Sequence, residues 1–206
     1  MIKSIKIVVF SFVFLFIFTS SIFANSEIIV EKNGKVTNYY AKQDPIRYAQ
    51  SIIKMSDKDK EKLYKYAKKH PNKVKPITYI ALADYIYETS KEDALFWYFV
   101  GRIRSTVDVM MCTDDSNNQQ IAYYPLLATK TMNFFATNDK QEVSKIMKKA
   151  IEWDIAHPKR INPKWACYHG IQIFITGNVT TKPMKEYKAI QDEYRSYLLD
   201  SLNDNE

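Results

Sequence analysis

The sequence predicts an all-α fold, a bundle of helical hairpins, on three observations. Four glycines in 206 residues leave little turn material for the short connections of an all-β fold. Apolar residues recur at spacings of three and four along most of the chain, as on one face of a helix. Capping residues and prolines stand where these segments begin and end. We therefore expect long helices joined by short loops.

Residues 1–24 predict a signal peptide that is removed near Ala24. Two lysines precede a run of about a dozen apolar residues (7–18), shorter than the roughly 20 that a membrane-spanning helix needs. Ile22 is bulky for its place third from the end of this leader, so a cut after Ser21 and an uncleaved anchor stay open as alternatives. The predicted location is the periplasm or the outside of the cell.

Without the leader, 182 residues remain, enough for one domain with its own core. They carry 28 basic and 23 acidic side chains, a formal charge of +5. A nucleic-acid binder should show a concentrated basic face, and an exported protein seldom meets nucleic acid, so we expect no such partner. The segment 54–75 holds nine lysines and three acids. Two interpretations of it stay open: a solvated helix face, or weak contact with anionic lipid.

Two cysteines, Cys112 and Cys167, would reach an oxidising compartment after export. A disulfide between them would close a loop of about 55 residues. On the chain-entropy model such a bond stabilises the fold by about 3 to 4 kcal/mol. We predict this bond, with two buried and unconnected thiols as the alternative.

Residues 25–43 form the predicted N-terminal arm, ahead of a single helical domain over residues 44–206. The stretch 27–40 is rich in β-forming residues and is interrupted by Asn33-Gly34, which favours a two-residue hairpin turn. An isolated hairpin is marginally stable. We therefore expect a short hairpin that packs on the helical body, or a loose arm.

Helix boundaries in the domain are marked by caps, by prolines in first turns and by helix breakers. The predicted starts are, in order, Asp44-Pro45, Ser56, Ile77, Ser90, Ile121, Asn138-Asp139, Asn162-Pro163 and Pro183. The predicted ends include Pro71, Ala156, Gly177-Asn178 and Leu202. The polar stretch 113–120 predicts a solvated surface loop.

The centre of the domain is a predicted hairpin of two apolar helices. The run 94–101 is apolar all the way round, which a helix tolerates only when neighbours cover both sides. Gly101 costs about 1 kcal/mol relative to alanine inside a helix, and the usual reason for it is close approach of another backbone.

This hairpin resembles a tetratricopeptide-type or Sel1-type repeat unit. The residues that match the two helices of such a unit are Tyr79, Leu82, Ala83, Ile86, Ala94, Tyr98 and Gly101. The match covers one hairpin of about 35 residues, and no second copy follows at that period. The resemblance implies a repeat-like packing of helical hairpins.

A wider resemblance covers nearly all of the mature chain. It rests on the strings ALFWYFVGRIRS at 94–105, CTD at 112–114, MNFFA at 132–136, IEWD at 151–154 and PKW at 163–165. These strings are similar to a family of exported bacterial helical proteins of uncharacterised function. The resemblance implies a helical fold and an extracytoplasmic location, and it supplies no catalytic residue.

Candidate chemistry is sparse, and we predict no catalytic, cofactor or metal site. Cys167 and His169 are two residues apart, about 200 degrees around a helix, so they would not share a face. His70 and His157 each precede a proline, where a histidine can satisfy the last carbonyls of a helix. The cluster around Asp114 lacks the glycine and the distal glutamate of a calcium loop.

Five residues are candidates for a partner-binding surface: Trp97, Arg102, Arg104, Trp153 and Trp165. The tryptophans can line an aromatic groove of the kind that stacked helical hairpins present to peptides, or they can pack in the core. The two arginines follow the buried run directly. Either can face such a groove, or they can pair within the domain with acids, for which the candidates are Asp108, Glu92 and Asp93.

The leading hypothesis is an exported, non-enzymatic binding protein that holds a protein or peptide of the cell envelope. An immunity protein against a secreted toxin is one specific form of it, by analogy of architecture and location. The rival is an envelope hydrolase that uses Cys167, His169 or Asp114, and it requires a pocket that joins at least two of these groups. A third hypothesis is a structural envelope protein whose segment 54–75 rests on anionic lipid.

Overall fold

The computed structural model describes residues 44–203, and within this range the chain is all-α, as predicted. The predicted leader and the arm or hairpin over residues 25–43 lie outside the described residues. The eight α-helices of the described range are α1 (Pro45–Ile53), α2 (Asp57–Lys69), α3 (Ile77–Tyr87), α4 (Lys91–Met110), α5 (Thr129–Thr137), α6 (Lys140–Ala156), α7 (Ile171–Thr176) and α8 (Tyr187–Asn203). Short 3-10 segments cover Asp115–Tyr123, Pro125–Leu127, Pro163–His169 and Met184–Glu186.

The predicted capping residues lie at the starts of the helices that they are predicted to cap. Asp44 accepts hydrogen bonds at the start of α1, and Ser56 and Ser90 each accept one from the backbone N–H three residues on. Asp139 does the same for α6, with bonds of 2.9 and 3.2 Å from the first-turn N–H groups. Each bond satisfies a donor that the first turn of a helix leaves unpaired.

Helix α4 is the central element of the fold. It packs against α3, α5, α6 and α8, and its side chains are buried around most of its circumference, as the apolar run predicts. Gly101 lies where α3 and α4 touch: a Cβ there would stand 2.8 Å from Ile80 Cγ1 and 3.0 Å from Tyr79 Cβ. The predicted close approach is therefore confirmed. The tetratricopeptide-type or Sel1-type arrangement stays a prediction.

Two predicted helices are broken in the structure. The helix expected from Ile121 is replaced by two 3-10 segments and the shorter α5. The stretch 113–120 is not a solvated loop, because Asn117 and Gln120 are buried and Gln120 Nε2 donates to the carbonyl of Ala166 at 2.8 Å. Through such bonds the buried amide groups of Asn117 and Gln120 satisfy backbone carbonyls of this irregular segment and of Ala166.

The helix expected from Pro163 to Ile175 is interrupted at Gly170. A Cβ on Gly170 would collide with the side chains of Asp114 and Asn117, so the chain has room only for glycine there. The first part is a 3-10 segment and the second is the six-residue α7. Within residues 44–203, no helix has the length and apolar character that crossing a membrane requires.

Candidate binding surface

Three of the five predicted partner-binding residues are buried, which corrects that prediction. Trp97, Trp165 and Arg104 are 7%, 5% and 1% exposed, so they cannot contact a partner while the domain stays folded. Trp153 is half-buried against the same core. Arg102 alone reaches an open groove between helices.

The aromatic residues form a stack inside the domain. The ring of Trp97 lies over Tyr79 at 4.9 Å between centroids and meets Trp153 edge to face at 5.2 Å. Trp153 in turn stacks on His157 with 4.1 Å between ring centroids, and the guanidinium of Arg104 lies 4.6 Å from the centre of the Trp153 ring. These contacts join α3, α4 and α6, so the stack is core packing.

Arg104 belongs to a buried ionic cluster centred on Asp154, which we call the arginine cluster. Asp154 Oδ1 accepts from Arg104 Nε at 2.6 Å and from Arg160 at 2.7 Å, and Oδ2 accepts from Arg195 at 2.7 Å. Arg104 therefore pairs within the domain, which was one of the two alternatives for it, but its acid is Asp154 and the candidates Asp108, Glu92 and Asp93 are wrong. The cluster ties α4, the segment after α6 and α8 to one carboxylate.

The carboxylate of Asp154 is stabilised in its charged form. Burial raises its pKa, but the three guanidinium groups outweigh burial and hold the pKa below its usual value. The amide of Gln191 lies beside Arg160 and Arg195, and the hydrogen-bond network assigns its oxygen to the side that accepts from them. Arg104 also donates to the carbonyl of His157 at 2.6 Å. These acceptors supplement the single carboxylate that three cations share.

Asp108 is a second buried carboxylate, with neutral partners. Oδ2 accepts from Trp165 Nε1 at 2.8 Å and Oδ1 accepts from the Tyr187 hydroxyl at 2.7 Å. Burial raises the pKa of Asp108 to about 6, although these two donors and the charges of Arg160 and Arg104 oppose the rise. Trp165 thus fixes a buried carboxyl group and is not part of an exposed surface.

The Asp108→Asn variant should lose a pH dependence that the natural protein shows. The folded-state pKa of about 6 lies above the usual 3.9, so the stabilising contribution is complete below about pH 4 and is lost as pH rises through 6. Relative to the variant, the natural protein should lose about 2 to 3 kcal/mol between about pH 4 and pH 7. Urea unfolding of both proteins across this range measures the difference; a difference that does not change with pH would contradict the assignment.

The lysine-rich segment 54–75 is not a uniform cationic face. Three lysines of α2 pair with acids on the same helix, in the pairs Lys60–Asp57, Lys62–Asp59 and Lys65–Glu61. Lys75 is buried with its ammonium 4.2 Å from the centre of the Tyr48 ring, and burial lowers its pKa to about 8. Contact with anionic lipid stays a prediction.

The residues of the hydrolase hypothesis each have a structural partner. Cys167 forms the predicted disulfide with Cys112, with 5.4 Å between the Cα atoms, so it has no free thiol in this state. His169 Nδ1 lies 2.7 Å from Asp44 Oδ2, at the start of α1. The structure brings these groups to one region, but the shallow depression there is lined by Asp114 without Cys167 or His169.

The segment around Asp114 holds the start of α7. Three consecutive backbone N–H groups donate to its side chains: Gly170 to Asn117 at 2.8 Å, Ile171 to Ser116 at 2.7 Å and Gln172 to Asp114 at 2.7 Å. The carboxylate that a calcium site would need is occupied by backbone donors. Among the described residues, no group of three or more His, Cys, Asp or Glu side chains could hold a metal ion.

Helix α7 presents an exposed apolar face. Ile171, Phe174 and Ile175 are 57%, 82% and 77% exposed, and their spacing places them on one side of the helix. Sequence reasoning missed this face because it assigned these residues to a longer helix that would bury an apolar side.

Comparison with protein-family models, with curated proteins and with solved structures finds no match for this chain. The resemblance to exported helical proteins therefore stays a prediction.

Proposed function

We propose that this protein is a non-enzymatic binding protein of the cell envelope or the extracellular space, and that it holds a protein partner through the apolar face of α7. The observation that carries the proposal is the exposure of Ile171, Phe174 and Ile175 together on one helix face. Contiguous exposed apolar side chains on a soluble domain are typical of interaction sites. An aromatic residue flanked by two aliphatic ones is the composition of an interface anchor.

The attachment of α7 supports the same proposal. The disulfide from Cys167 to Cys112 fixes the segment before the helix, and the three side-chain caps fix its first turn. A face held in this way loses little conformational entropy when it binds, which favours affinity.

The location is part of the proposal. A disulfide-bonded domain fits an oxidising compartment, and residues 1–24 predict an export signal. A protein partner of the envelope then follows more naturally than a cytoplasmic one. Neutralisation of a secreted toxin is one form of this function, and a gene for a secreted effector beside this gene would support it.

The Phe174→Glu variant should lose the partner. A central anchor contributes about 2 kcal/mol or more, so affinity should fall at least about 30-fold. The measurement is capture from an envelope fraction with the natural protein and the variant, followed by titration of the recovered partner in purified form. Ile155→Glu is the matched control, because Ile155 is 53% exposed on α6.

The result expected is one partner that is retained by Ile155→Glu and lost by Phe174→Glu. Three results would overturn the proposal: no protein recovered, proteins recovered equally by both variants, or a Phe174 effect seen only on lipid vesicles. Self-association that Phe174→Glu abolishes would replace the partner with a second copy of this chain.

A further inference from the structure

A groove opens where α4, α5, α6 and α8 meet, and it encloses about 530 Å³. Its floor is apolar: Phe99 and Ile103 are buried at the bottom, while Phe135, Met147 and Leu198 line the walls half-exposed. Small-ligand sites occupy about 300 to 1,000 Å³, and the volume of the groove lies within this range. The dimensions therefore suit a small ligand with a sizeable apolar part.

Among the residues that the structure describes, the charged side chains of the groove are all positive. Arg102 on α4 and Lys140 on α6 line it, and no acidic side chain of residues 44–203 does. Within the described residues neither cation forms an ion pair, in contrast to Arg104, Arg160 and Arg195. The nearest acid in sequence to Lys140 is Asp139, whose carboxylate is already used as the cap of α6.

We propose that this groove binds a single-chain anionic amphiphile, such as a fatty acid. The chain lies on the apolar floor and the anionic head meets Arg102 and Lys140 at the rim. The planar guanidinium of Arg102 suits a carboxylate, because it can donate two parallel hydrogen bonds. Tyr197, which is 65% exposed at the same rim, can cover part of the chain. This site shares no residue with the α7 face, so it stands independently of the partner proposed there.

The test uses dodecanoate, below the concentration at which it forms micelles, and the purified full chain. Calorimetric titration should show binding of dodecanoate, weaker binding of dodecanol and no binding of acetate. Arg102→Gln should weaken dodecanoate binding at least about tenfold and leave dodecanol binding unchanged, because it removes the charge-assisted bonds alone. Lys164→Gln, an exposed lysine outside the groove, is the matched control and should change neither.

Leu198→Trp fills part of the groove with a larger side chain, so it should abolish binding of both dodecyl compounds. Circular dichroism checks that the variant domain is folded. Absence of dodecanoate binding, or binding that Arg102→Gln and Lys164→Gln weaken equally, would overturn the proposal. So would an effect of Arg102 confined to anionic vesicles or to an acidic peptide, because the groove would then be a docking surface for a membrane or a protein.

Discussion

Replacing Asp154 with asparagine should destabilise the folded domain by about 3 to 5 kcal/mol. The carboxylate accepts bonds from three arginines, all of them nearly or fully buried. An amide at this position has one acceptor oxygen and turns an NH2 group toward guanidinium donors. Three buried cations would then lack their counter-charge, which costs more than the loss of a neutral hydrogen bond.

The measurement is urea unfolding at neutral pH, followed by circular dichroism. Asp108→Asn is the matched control, since it makes the same chemical change at an equally buried aspartate whose hydrogen bonds come from neutral donors. An amide can accept from Trp165 and donate to Tyr187, so this control should not share the large loss. Equal losses in the two variants would refute the special role of Asp154.

If Asp154→Asn does not accumulate as folded protein, a second variant, Arg195→Gln, tests the contribution of the arginine cluster to stability. Arg195→Gln removes one of three cations and leaves the carboxylate with two, so its loss should be smaller, about 1 to 2 kcal/mol. Acid titration gives the same information by another route. Because the folded-state pKa of Asp154 is lowered, its contribution is present at neutral pH and is lost as pH falls through that lowered value.

The two arginines of α4, Arg102 and Arg104, have different environments and different roles. Arg104 is paired and buried, so its charge stabilises the packing of α4 against α6 and α8. Arg102 lies two residues earlier on the same helix and points to a different side, where it lines the groove. The charge of Arg104 is balanced by Asp154, whereas Arg102 forms no ion pair within residues 44–203 and lies at the rim of an apolar groove, where an anionic ligand could pair with it.

Local signals in the sequence predicted much of the fold. The starts of α2, α4 and α6 could be predicted because Ser56, Ser90 and Asp139 bond to N–H groups two or three residues away. Such a bond depends on a few neighbouring residues and survives whatever the rest of the chain does. The all-round apolar run of α4 similarly predicted its central position.

The candidate site could not be predicted in the same way. Arg104 and Asp154 are 50 residues apart, and nothing in the local spacing of either indicates the other. The burial of Trp97 and Trp165 was equally hidden, because a core stack and an exposed aromatic groove use the same residue types. The exposure of α7 depends on the break at Gly170, which side chains from Asp114 and Asn117 impose from 53 or more residues away.

Removal of the disulfide should cost the domain about 3 to 4 kcal/mol. The bond between Cys112 and Cys167 closes a loop of 55 residues in sequence, and it restricts the unfolded chain by that closure. Both residues are 3% exposed, so the Cys112→Ala/Cys167→Ala variant replaces them without placing a polar group in the core. The change should appear as a lower midpoint of urea unfolding.

The reductant supplies the control for this variant. Dithiothreitol should lower the stability of the natural protein by a similar amount and leave the double variant unchanged, because the variant has no bond to reduce. An unfolding midpoint equal to that of the oxidised natural protein would contradict the prediction. The start of α7 lies four residues after Cys167, so hydrogen exchange of the α7 amides should also rise in the double variant while that of α3 rises less. The disulfide would then be shown to hold the apolar face in place as well as to stabilise the domain.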